Sequence, residues 1–176
     1  MGAVIADALD GDLDVVLVHK LGAPGNPEFA IGAVSEDGTS EVAPVAEEFG
    51  IDDEYVKEEV ARQLETLRER RRSYTPIRAP IDPSGRIVIV VDDGVATGAT
   101  MMAALGFVRR RNPAKLVAAI AVSPRDTLQK LRAVADDVVC LASPSYFRAV
   151  GEFFADFDQV SDSEVKTILA ESDTGL

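Results

Sequence analysis

Apolar residues along the chain recur with two periods. Val56, Val60, Leu64 and Leu67 fall three or four residues apart, which places them on one stripe of a helix over about 52–72. Its acidic start and its basic end, Arg68 and Arg70 to Arg72, suit the helix dipole. Ile87, Val88, Ile89, Val90 and Val91 are all β-branched, the composition of a strand buried on both faces in a helix-covered parallel sheet. The same reasoning predicts strands over 116–122 and 137–141, with helices over 101–108 and 124–135 between them. Upstream, a short helix is predicted over 3–9 and a strand over 13–18. From 19 to 27, Gly22, Pro24, Gly25 and Pro27 argue against regular structure. Segments 29–34 and 40–42 pair as a hairpin across 35–39. Pro76, Pro80 and Pro83 make 74–85 an extended connector. A closing helix over 160–169 has Ser161 as N-cap and Glu164 three residues on, a capping box. Strands and helices that alternate in this way imply one α/β domain whose parallel sheet carries helices on both faces.

Chemistry concentrates where the 87–91 strand ends. Asp92 and Asp93 stand at the carboxyl edge, where open α/β sheets bind ligands. Unpaired charge is costly to bury, so two adjacent acids there are suited to vicinal hydroxyls or to a bound cation. Ala96, Thr97, Gly98, Ala99 and Thr100 follow with little bulk and two hydroxyls. A turn of that composition can aim backbone N–H groups at an anion, helped by the positive end of the next helix. The bland alternative is a strand-to-helix turn with a Thr cap and solvated aspartates. No Gly-x-x-x-x-Gly-Lys-Ser/Thr run supports a P-loop, and Gly94 and Gly98 lack dinucleotide-fingerprint spacing. A receiver domain also ends strands in acids, but it has no need of the Thr97 to Thr100 turn.

The run from Val88 to Thr100 resembles the phosphoribosyl-pyrophosphate (PRPP) signature of type I phosphoribosyltransferases. The resemblance implies a Rossmann-like parallel sheet flanked by helices, a flexible-loop region over about 19–85 and a small C-terminal hood over about 142–176, in a single domain. It implies transfer of 5-phosphoribosyl from PRPP to a nucleobase-like nitrogen acceptor with release of pyrophosphate. Asp92 and Asp93 would contact the ribose hydroxyls, and Ala96 to Thr100 would wrap the 5-phosphate. Mg²⁺ would arrive with PRPP and pass near Asp92 and Asp93, with no direct protein site assigned. Gly94 departs from the apolar residue common at that position and is read as a looser turn. The segment around His19 and Lys20 is similar to one that supplies a basic pair ahead of a loop. Lys20, permanently charged at neutral pH, is the expected pyrophosphate contact and is counted with the catalytic residues. Arg68 and Arg71 are candidate pyrophosphate contacts, with a solvated helix terminus as their alternative. Tyr146 and Phe147 are candidates for the acceptor site, while Phe153, Phe154 and Phe157 are expected to anchor the tail. Family members carry an earlier strand and a pyrophosphate loop before the first helix. Met1 and Gly2 fall where that loop belongs, so the resemblance is expected to omit it. The alternative function is a weak or inactive PRPP-binding sensor or regulatory protein.

Charge and composition narrow the partners. The 176 residues are 47% hydrophobic, enough for one substantial core, and carry a formal net charge of −12. That balance disfavours nucleic acid and anionic lipid as partners. Thirty acids against 18 basic residues also suit a salt-rich cytoplasm. No apolar run approaches the ~18 residues of a membrane span, and the start resembles no secretory signal, so a cytoplasmic location is expected. Cys140, the single cysteine, reads as a core residue. A homodimer is compatible with this reading.

Overall fold

The computed structural model describes residues 1–172. The last residues of the expected hood, 173–176, lie outside the described residues. In chain order the elements are α1 (Gly2–Leu9), β1 (Val18–Ala23), β2 (Asn26–Ser35), β3 (Ser40–Val42), α2 (Val45–Glu48), α3 (Asp53–Tyr74), β4 (Ile87–Gly94), α4 (Ala99–Arg109), β5 (Lys115–Val122), α5 (Arg125–Leu131), β6 (Asp137–Ala142) and α6 (Asp162–Glu171). The architecture is α/β, with a parallel sheet flanked by helices and ordered β4-β5-β6.

One face of the parallel sheet builds the first core. Val90, Leu116, Ala118 and Ile120 pack against Met101, Ala104, Leu105 and Val108 of α4 and Leu128 and Leu131 of α5. α4 is apolar nearly all round, and such a helix must be enclosed. It lies between two sheets, touching β4 and β5 on one side and β1 and β2 on the other. Leu105 at its centre is fully buried, and truncation to alanine would cost about 2–5 kcal/mol. The opposite face of the parallel sheet is less covered than the five β-branched residues imply. β5 alternates buried and half-buried positions, and Ile87, Val139 and Leu141 are exposed. Cys140 lies half-buried against the first core.

The second sheet, antiparallel β1-β2-β3, shares a second core with α3 and α6 through Leu21, Ile31, Val34, Leu67, Tyr74 and Leu169. The expected hairpin forms, with Gly32 opposite Val42 and Val34 opposite Ser40. Two expectations fail beside it. Residues 13–17 join no ladder, although they run between the cores, with Val16 and Val18 turned to the first and Leu13, Val15 and Leu17 to the second. Segment 19–27, expected to be irregular, is instead most of a hairpin that pairs Val18 with Ser35 and turns at Pro24 and Gly25, where Gly25 has φ 71°. Gly22 makes the irregular register workable, because a Cβ there would lie 2.7 Å from Cα of Pro27. The region expected as a flexible loop, 19–85, thus carries β1 to β3, α2 and α3 before the extended connector. α3 begins as predicted, with Asp52 accepting the Glu54 N–H, and α6 has the predicted capping box of Ser161 and Glu164.

Candidate functional site

β4 delivers the carboxylate pair to the end of the parallel sheet. Successive strand residues alternate faces, so Asp92 follows Val88 and Val90 and is half-buried, while Asp93 turns the other way and is exposed. Burial of the Asp92 carboxyl, and then the Asp93 charge beside it, pushes its pKa up to about 6, against the pull of a hydrogen bond from the Gly94 backbone. Both acids line a cleft of about 1200 Å³ together with Thr100, Met101 and the free side of β4.

The turn after the pair is anchored on its protein side. Val95 N–H donates to the Val122 carbonyl at 3.0 Å. The Ser123 hydroxyl donates to the Val95 carbonyl at 2.8 Å, and the Thr127 hydroxyl donates to the Ala96 carbonyl at 2.7 Å. Gly98 holds φ 94° as N-cap of α4 and offers no side-chain acceptor, so the positive end of α4 is left facing the turn. Ala96, Thr97 and Thr100 are exposed, Ala99 is half-buried, and Gly98 is buried. An anion at this turn would meet backbone donors unobstructed by large side chains.

Gly94 has a structural reason that a looser turn does not capture. A Cβ there would collide with the Val150 side chain, so the glycine lets the C-terminal segment close over the end of β4. That segment contributes Phe154 and Phe157, ring centroids 5.3 Å apart, to the cleft wall. Tyr146 and Phe147 are outside the described lining. Tyr146 is exposed and accepts a hydrogen bond from Arg148 at 2.6 Å, and Phe147 stacks on Phe153 at 5.4 Å. Of the C-terminal aromatics, those that reach the cleft are therefore two of the three expected to anchor the tail.

The basic candidates are dispersed. Lys20 sits half-buried in β1 opposite Ala33, outside the cleft lining, in a ladder and not ahead of a loop. Arg68 is an exposed α3 residue near Glu65. Arg71 does reach the cleft wall, but its guanidinium donates twice to Glu36 at 2.6 Å and once to the Val15 carbonyl at 2.8 Å, with Asp14 3.7 Å away. Arg86 and Arg111, the other arginines in the described lining, are paired with Asp12 and Asp37. Among the described residues no three His, Cys, Asp or Glu side chains converge to hold a metal ion. A cation beside the Asp92–Asp93 pair would offset both the burial of the Asp92 carboxyl and the Asp93 charge, which together raise its pKa.

Two Mycobacterium tuberculosis proteins, "Putative phosphoribosyl transferase Rv0571c" of strain H37Rv and its CDC 1551 counterpart, are each 39% identical over 166 residues, which is 94% of this chain. The chain spans 38% of their length. The crystal structure of TT1426 from Thermus thermophilus superposes with a TM-score of 0.78 at 46% identity, over 96% of this chain and 80% of that one. No helix among the described residues is long and apolar enough to cross a membrane. The profile described as the phosphoribosyl transferase domain matches residues 1–157, and the chain is accordingly a member of that family, of the type I group its signature resembles.

Proposed function

We propose that the cleft binds PRPP and that the chain transfers its 5-phosphoribosyl group to a nucleobase-like nitrogen acceptor, with release of pyrophosphate. The observation that carries this reading is the adjacency of two chemistries at the end of β4: the Asp92–Asp93 pair in the cleft wall for the ribose hydroxyls, and the side-chain-poor turn from Ala96 to Thr100, whose last residue reaches the same cleft, for the 5-phosphate. Displacement at C1 of ribose passes through a transition state with oxocarbenium character, and a carboxylate beside the ring stabilises positive charge developing there. Asp93, exposed at the end of β4, takes that role, and the half-buried Asp92 carboxylate accepts hydrogen bonds from the ribose hydroxyls. The acceptor enters past Phe154 and Phe157, which supply an apolar wall for a planar ring. Mg²⁺, bound to PRPP, would neutralise the leaving pyrophosphate. Lys20, Arg68 and Arg71 remain proposed pyrophosphate contacts, of which Arg71 lies in the cleft wall, and a homodimer is the proposed assembly.

A second reading, PRPP binding without efficient transfer, is favoured by the ion pairing of Arg71, Arg86 and Arg111, whose charge is matched inside the fold. Calorimetry with PRPP and Mg²⁺ tests binding, and pyrophosphate release across a panel of bases separates transfer from binding alone. Absence of any PRPP binding would refute both readings.

A further inference from the structure

Two buried hydroxyls lie beneath the turn that follows the acid pair, and neither belongs to the signature. Ser123, at the end of β5, is 0% exposed, and Thr127, in α5, is 5% exposed. Their hydroxyls donate to the carbonyls of Val95 and Ala96, consecutive residues of the turn. Within a trans peptide unit the C=O and the following N–H point in opposite directions. Holding the Val95 and Ala96 carbonyls inward therefore turns the N–H groups of Ala96 and Thr97 away from the protein interior. Released, either peptide could flip and present a carbonyl oxygen to an incoming anion.

We propose that Ser123 and Thr127 are positioning residues for the 5-phosphate: they hold the first two carbonyls of the turn so that the Ala96 and Thr97 amides face the phosphate. This rests on the reading of the turn as a phosphate loop. The hydroxyls come from β5 and α5, so the neighbouring strand and helix, and not the signature alone, set the donor geometry.

The test titrates the full chain with ribose 5-phosphate by calorimetry and follows the Ala96 and Thr97 amide resonances by NMR. In the wild type both amide protons move downfield on saturation. Thr127→Val keeps the shape and Ser123→Ala leaves a small void; each is expected to weaken binding by about threefold to tenfold, the worth of one buried hydrogen bond, and to reduce the downfield movement. Thr127→Ser retains the hydroxyl without the methyl and is expected to bind like wild type, which excludes a role in packing alone. Wild-type binding with unmoved Ala96 and Thr97 amides, unchanged affinity in Thr127→Val, or a Thr127→Ser variant as weak as Thr127→Val would overturn this inference while leaving the functional reading intact. A wild type that does not bind ribose 5-phosphate would overturn the functional reading and this inference with it.

Discussion

Replacing Asp92 by asparagine should stabilise the protein while impairing its ligand site. Asp92 ionises at about 3.8 when exposed, and in the fold burial and the Asp93 charge lift it to about 6. Between these values the folded state keeps a proton that the unfolded chain has released, so stability falls as pH rises through that window and the loss is complete above it. At ~1.4 kcal/mol per tenfold change, the displacement costs about 3 kcal/mol at neutral pH. The substituted amide carries no charge to desolvate and leaves Asp93 without a like-charged neighbour. The variant should therefore be more stable than wild type at pH 7.5 by up to about 3 kcal/mol, or roughly 6–12 °C in melting temperature for a domain of this size. The advantage should shrink towards zero by pH 4, where wild-type Asp92 is protonated. The chain has no tryptophan, so urea unfolding followed by far-UV circular dichroism is the suitable assay. Taking the difference between variant and wild type at each pH removes the titration of the other acids. A variant less stable than wild type at pH 7.5, or an advantage that does not change between pH 4 and 7.5, would refute the reasoning.

Three other substitutions probe separate contacts. Gly94→Ala should destabilise by about 1–3 kcal/mol through its collision with Val150, and Val150→Ala in the same chain should recover most of the loss; no recovery in the urea midpoint would show that the close approach is not the cause. Glu36→Gln leaves the largely buried Arg71 guanidinium without its closest carboxylate, and unfolding free energy should drop by about 3 kcal/mol; a loss below about 1 kcal/mol would mean that Asp14 compensates. Under the proposed function, Asp93→Asn should lower pyrophosphate release on the order of a hundredfold while the melting temperature holds, and full turnover would remove Asp93 from charge stabilisation.

What the sequence made legible is what consecutive residues decide. β4 follows from five β-branched residues, α3 from a stripe on one face, and the α6 cap from two residues three apart. The proposed ribose and phosphate contacts belong to the same kind, because residues 92–100 are joined covalently and the strand-to-helix turn fixes their mutual geometry. The β1–β2 hairpin escapes such a reading for a physical reason: Gly22, Pro24, Gly25 and Pro27 act as breakers when read singly, yet a turn at Pro24 and Gly25 and a Cβ-free contact between Gly22 and Pro27 accommodate all four in one hairpin. Other features depend on partners distant in sequence. Gly94 is required by Val150, Arg71 is claimed by Glu36 and Asp14, and the carbonyls of Val95 and Ala96 are held by Ser123 and Thr127. Arg71 shows why a cluster of cations is weak evidence for a phosphate site in an acidic chain. With 30 acids against 18 basic residues, the fold itself competes for each guanidinium, and the closest carboxylate in three dimensions cannot be read from the order of residues. The backbone amides of the turn escape this competition, since they carry no net charge to be matched. An acidic chain that recognises an anion through oriented N–H groups keeps that ability whatever its side chains neutralise, and this is why the signature turn outlasts the arginine cluster as the basis for the functional reading.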